Sequence, residues 1–135
     1  MVSWLRFWFN DLLCACYHPP RPKYSTSEFL DLLDRYIEHN ILAQDVCFIL
    51  AGDLNKLNAK QLEVKHGLTQ MVSSSTRGKS VLDVFYTTRP DLFYVEVFRS
   101  CVKSDHYAVG INLSIKCAEE STNGSLECVA YALVI

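Results

Sequence analysis

Residues 46–55 read VCFILAGDLN, and the fold turns on them. The run from Val46 to Ala51 is apolar without interruption and has the length of a strand. A strand buried on both faces has this appearance, because neither side alternates with polar residues. Gly52, Asp53, Leu54 and Asn55 follow directly. An aspartate and an asparagine two residues apart at a strand exit can point to one side. Together they supply a carboxylate and an amide able to hold a phosphate, a metal-bound water or a nucleophile. The plainer reading of the same residues is an Asx turn that ends the strand.

Working outward, residues 4–9 and 12–17 read as two strands. Asn10 and Asp11 form a two-residue hairpin turn between them, since both tolerate positive φ. Three of the four prolines lie in residues 18–23, which must be extended loop. Ser25 with Glu28 offers a capping box. Phe29, Leu32, Leu33, Tyr36 and Ile37 recur at helical spacing, so residues 27–40 are expected as an amphipathic helix. Beyond Asn55 a short helix is expected over residues 59–65 with Gly67 as its stop. Residues 68–72, 81–87, 94–99 and 107–115 read as strands, and 73–80 as a serine-rich loop. The class is mixed α and β.

The chain has 135 residues, 50% of them hydrophobic and 21% charged, with a net charge of -2. That suits one domain with a real core and excludes a disordered or collagen-like chain. The balance gives no bulk drive towards nucleic acid, so such binding must come from a local patch. The mean hydropathy of +0.08 is high for a small domain, which has the most surface per residue. Six cysteines form no CxxC and no zinc-spaced cluster, and are read as buried, reduced thiols. The apolar N-terminus is interrupted by Arg6, Asn10 and Asp11, so neither a membrane span nor a signal peptide is expected. The expected location is cytoplasm or nucleus.

Two further polar clusters resemble the first in sitting at strand ends. In residues 76–83 (TRGKSVLD), Asp83 lies inside an otherwise apolar strand, and a buried carboxylate needs a partner. It is either a paired strand aspartate or one that orients a histidine or metal. Ser104, Asp105 and His106 precede the next strand. An imidazole with a carboxylate neighbour is the expected form of a general base, although a lone Asp-His pair also fits a surface turn. Strands running in opposite directions would bring one cluster at an exit and another at an entry to the same sheet rim.

In this order the segments CYHPPRP, FILAGDLN, GLTQMV, STRGKSVLDVFYTTRPDLF and VKSDHYAV resemble the endonuclease/exonuclease/phosphatase superfamily, the fold of deoxyribonuclease I and the abasic-site endonucleases. Within it, the chain is most similar to the endonuclease domain of non-LTR retrotransposons. The resemblance implies an α+β architecture, a partial two-sheet sandwich lacking its N-terminal strands. It implies that residues 1–116 are the C-terminal part of the domain, with residues 117–135 a tail of unrecognised character. It also implies roles. Tyr17 would contact the scissile phosphate, and Asp53 and Asn55 would position the attacking water and stabilise the phosphoryl group. Asp83 would orient the histidine side, Asp105 would polarise His106, and His106 would act as general base or phosphate contact. Ser80, Arg77 and Thr87 are carried as weaker phosphate-binding positions, with Asp105 a candidate metal ligand. The implied chemistry is Mg²⁺-assisted phosphodiester hydrolysis on DNA.

The family's principal Mg²⁺ ligand is a glutamate on an earlier strand, and Glu28 and Glu38 match no metal position. The expectation is therefore a truncated endonuclease domain, inactive alone. A binding module that carries the half-site without activity is the alternative, and a phosphomonoesterase of the same superfamily a third. An opened sandwich should expose a sheet face and self-associate. Arg21, Lys23, Arg77 and Lys79 flank the motifs and could meet phosphates.

Overall fold

The computed structural model of the chain describes residues 2–7, 11–41 and 46–113. Its elements are β1 (Val2–Phe7), β2 (Asp11–Tyr17), α1 (Thr26–Ile41), β3 (Cys47–Asp53), α2 (Lys60–His66), β4 (Thr69–Gln70), β5 (Asp83–Thr87), a 3-10 turn (Pro90–Leu92), β6 (Phe93–Phe98) and β7 (Ala108–Leu113). The class is mixed α and β, with two sheets. One sheet has five strands in the order β1-β2-β3-β5-β4, and the other pairs β6 with β7. Strands β2 and β3 are parallel, and α1 carries the chain between them. Strand β5 returns antiparallel to β3.

The buried run 46–51 explains the layering. Period-two alternation sends Phe48 and Leu50 to one face of β3, and Cys47, Ile49 and Ala51 to the other. The first pair packs with Leu33 and Ile37 of α1, Leu62 of α2, and Cys14 and Cys16 of β2. The second set packs with Phe85 of β5 and with Val109 and Ile111 of β7. Val95 and Val97 of β6 close over the same cluster. Helices thus cover one face of the five-stranded sheet, and the β6–β7 ribbon covers the other.

Local signals set the element ends. The Glu28 N–H meets Ser25 Oγ at 3.5 Å, the first half of the capping box. Gly67 stops α2 in the left-handed conformation, at φ 63°. The hairpin differs from its expectation. Asp11 opens β2 opposite Phe7 and so belongs to the ladder, not the turn. Residues 8–10, which join the strands, lie outside the described residues, as does the 117–135 tail. Cys14, Cys16 and Cys47 are buried free thiols, but Cys101 is exposed in the loop after β6. Among the described residues, no helix is long and apolar enough to cross a membrane.

Candidate active site

The ends of β2, β3 and the start of β5 lie side by side. Tyr17 is opposite Asp53 in the parallel pair, and Asp53 is opposite Asp83 in the antiparallel pair. Residues in register share a face. Counting back by twos from Asp53 reaches Ala51, Ile49 and Cys47, so all three side chains stand on the side covered by β6 and β7. The chain enters β7 two residues after His106, which brings the imidazole in from the second layer. Ligand atoms of Asp53, Asp83 and His106 all lie within 4.8 Å of one another.

Asp83 is the buried member, 1% exposed. A carboxylate so placed costs several kcal/mol unless it is bonded. His106 Nδ1 meets Asp83 Oδ2 at 2.8 Å. With the neutral ring, a carboxylate acceptor fixes the proton on Nδ1 and leaves Nε2 as a base facing out of the pair. The carboxylate bonded to the His106 ring is therefore Asp83 and not Asp105. Asp105 is exposed and pairs with the Arg77 guanidinium instead. Adjacent residues in a turn do not share a direction, and only Asp83 reaches the ring. Asp105 is also absent from the three-residue cluster.

Asp53 is at once a member of the cluster and the first residue of an Asx turn with Asn55. Asp53 Oδ1 accepts the Asn55 N–H at 2.9 Å. Asn55 takes a left-handed φ of 49°, which asparagine tolerates better than most residues. Its Nδ2 donates to the His18 carbonyl at 2.6 Å, and the His18 N–H donates to the Asp53 carbonyl at 2.9 Å. These two bonds tie the exits of β2 and β3 together. The His18 ring is buried, bonds the Tyr24 hydroxyl through Nδ1 at 2.9 Å, and packs against Phe29. Burial pushes its pKa below the ordinary imidazole value, with the Asp53 charge opposing. Tyr17 is half exposed at the rim.

The weaker positions separate. Thr87 is not at the site. It sits four residues along β5 from Asp83, about 13 Å away, fully buried opposite Ile49. Its Oγ1 accepts the Arg89 N–H and contacts Cys47 Sγ, so it serves the far end of the sheet. Ser80 is exposed and acts through its backbone, bridging Arg77 to close the 77–80 turn. Arg77 is engaged by Asp105.

Two residues were not singled out by sequence. The sequence places His18 in a proline-rich loop and in the CYHPPRP segment but gives it no role. Thr76 is fully buried, with Oγ1 accepting the N–H groups of Leu82 at 2.9 Å and Asp83 at 3.1 Å. Nothing in its composition distinguishes a buried threonine from the three serines before it.

No protein-family model matches the chain, and no curated protein or solved structure is found to be similar to it.

Proposed function

We propose that Tyr17, Asp53, Asn55, Asp83 and His106 form part of a metal-assisted phosphodiester-hydrolysing site of the endonuclease/exonuclease/phosphatase type. On this reading the chain is nearest the DNA endonuclease domains of non-LTR retrotransposons, and its layers are part of that two-sheet sandwich. The observation that carries the reading is the convergence of Asp53, Asp83 and His106 to within 4.8 Å from three separate stretches of sequence.

The chain's own groups divide the work as follows. Nε2 of His106 takes or returns a proton while Asp83 holds the ring and stabilises its charged form. Asp53 accepts a hydrogen bond from the attacking water. Asn55 has one N–H committed to His18 and a second N–H free for a phosphoryl oxygen. The Tyr17 hydroxyl meets the phosphate from the rim. Mg²⁺ takes oxygen ligands, usually one or two carboxylates with waters and phosphate oxygens. Asp53 and Asp83 fit that demand, each with one oxygen already bonded and one remaining. The cation would stabilise charge on the leaving oxygen.

Among the described residues, no glutamate joins this cluster. The donor set is lean, and we expect nicking of supercoiled plasmid with Mg²⁺ to stay at the level of His106→Ala. Robust nicking abolished by His106→Ala would overturn that expectation of inactivity while establishing the enzyme. The same lean donor set favours a second reading, DNA binding without cleavage. Its mark is plasmid binding that weakens as salt rises, with no nicks. Tyr94 and Phe98 stand exposed on the outer face of β6. We infer self-association through this face, and sedimentation as a monomer at all concentrations would contradict it.

A further inference from the structure

We propose that Thr76 is the positioning residue of the Asp83–His106 pair, a role that rests on reading the pair as the site's proton-handling unit. Asp83 opens β5 on an edge that β4, two residues long, does not reach. The N–H groups of that edge are met by side chains. Gln70 Oε1 accepts from Phe85 at 3.0 Å, and Thr76 Oγ1 accepts from Asp83 and Leu82. The Thr76 hydroxyl therefore stands where a neighbouring strand's carbonyl would stand, and it fixes the backbone that carries the buried carboxylate.

The same residue grips the other partner. Its carbonyl accepts the Tyr107 N–H at 2.7 Å, the residue directly after His106. Its own N–H donates to Ser80 O at 2.9 Å and closes the turn. One fully buried residue thus bonds the backbone of Asp83 and the backbone next to His106. The parallel tie, Arg77 to Asp105, has side chains 48% and 65% exposed. Solvent and salt screen such a pair, so it adds little to the registration. Truncating the Thr76 hydroxyl leaves the buried Leu82 and Asp83 N–H groups without that acceptor, a cost that favours a shift of the backbone carrying Asp83.

The test reads the His106 ring nitrogens by 15N NMR at a pH where the ring is neutral, with no activity assay. Asp83→Ala supplies the reference for an unanchored ring. The wild-type chain and Thr76→Ser, which keeps the hydroxyl, should show one dominant tautomer with the proton on Nδ1. Thr76→Val, of similar volume without an acceptor, should lose that dominance and move to the averaged shifts of Asp83→Ala. A folded Thr76→Val chain that keeps the wild-type pattern overturns the proposal. So does a folded Thr76→Ser chain with an averaged ring, an outcome that decides the matter if the valine variant does not fold. An averaged ring in the wild type would overturn the pair itself, and with it the role of Thr76.

Discussion

At Gly52 a single added carbon would break the central sheet. Its φ is 147°, and a Cβ there would lie 1.7 Å from the Cys16 carbonyl oxygen on the adjacent strand. Gly52→Ala should cost roughly 4 kcal/mol or more, or prevent folding, as read by the urea midpoint. The thiols give a second outcome. Burial pushes Cys14 up to about 12 and Cys16 to about 11, and raises Cys47 as well. Since the thiolate is the nucleophile, among these and Cys101 only Cys101 should react with iodoacetamide at pH 8 without denaturant. Mass mapping that finds Cys14 modified in the folded chain would contradict the packing of β2. Sequence identified Asp83 as a carboxylate in need of a partner, because its neighbours are apolar. It offered Asp83 as a carboxylate that orients a histidine or metal, while the family resemblance gave the polarising role to Asp105, the nearer residue in the chain. The structure bonds the ring to buried Asp83, while exposed Asp105 pairs with Arg77.

Elements with their own end signals were legible to within a residue or so. Ser25 and Gly67 are such signals, and α1 and α2 end where those signals place them. Ser25→Ala should cost about 0.5 kcal/mol, the low end for a lost cap because its bond is long, measured by thermal unfolding. The two helices are clamped by Asp34, which meets Lys65 Nζ and His66 Nε2, each at 2.7 Å. The Lys65 bond, followed by that of His66, holds the Asp34 carboxyl below its usual pKa of 3.8. A depressed carboxylate stabilises the fold above its unfolded value. That contribution should be present above about pH 4 and fade as pH falls below it. Urea midpoints between pH 5 and pH 3 should fall less steeply in Asp34→Asn than in the wild type. Strand ends without such signals were less legible. The apolar pattern places Val81 and Leu82 in a strand, yet β5 begins at Asp83, where its ladder with β3 ends opposite Asp53. Thr87 fell outside the site for a related reason: motif text does not encode how far along a strand a residue stands.

The molecule is held by two apolar layers on one sheet, and Phe85 lies at the heart of the second. It is 1% exposed and meets Phe93 edge-to-face, with ring centroids 5.2 Å apart. Phe85→Ala should cost about 3–5 kcal/mol. Because Phe85 packs between β5 and the β6–β7 ribbon, the loss should also loosen the ribbon that delivers His106. Faster amide exchange in β6 and β7 than in β3 would show it, and unchanged exchange would count against this layering. At this scale the exit-and-entry order of the strands foresaw Asp53 and Asp83 meeting on one sheet rim, whereas His106 reaches them from the separate β6–β7 sheet. The β6–β7 layer as a separate ribbon was not legible, because alternation in a strand shows that one face is buried but not against what.

On the proposed function this rim would hold a divalent cation, and Mn²⁺ serves as its paramagnetic probe. At substoichiometric Mn²⁺, NMR signals of Asp53, Asn55, Asp83 and His106 should broaden before others. Excess Mg²⁺ should restore them, and Asp53→Asn should abolish the effect. Broadening that leaves these residues untouched, or that persists unchanged in Asp53→Asn, would rule out a cation site at this rim.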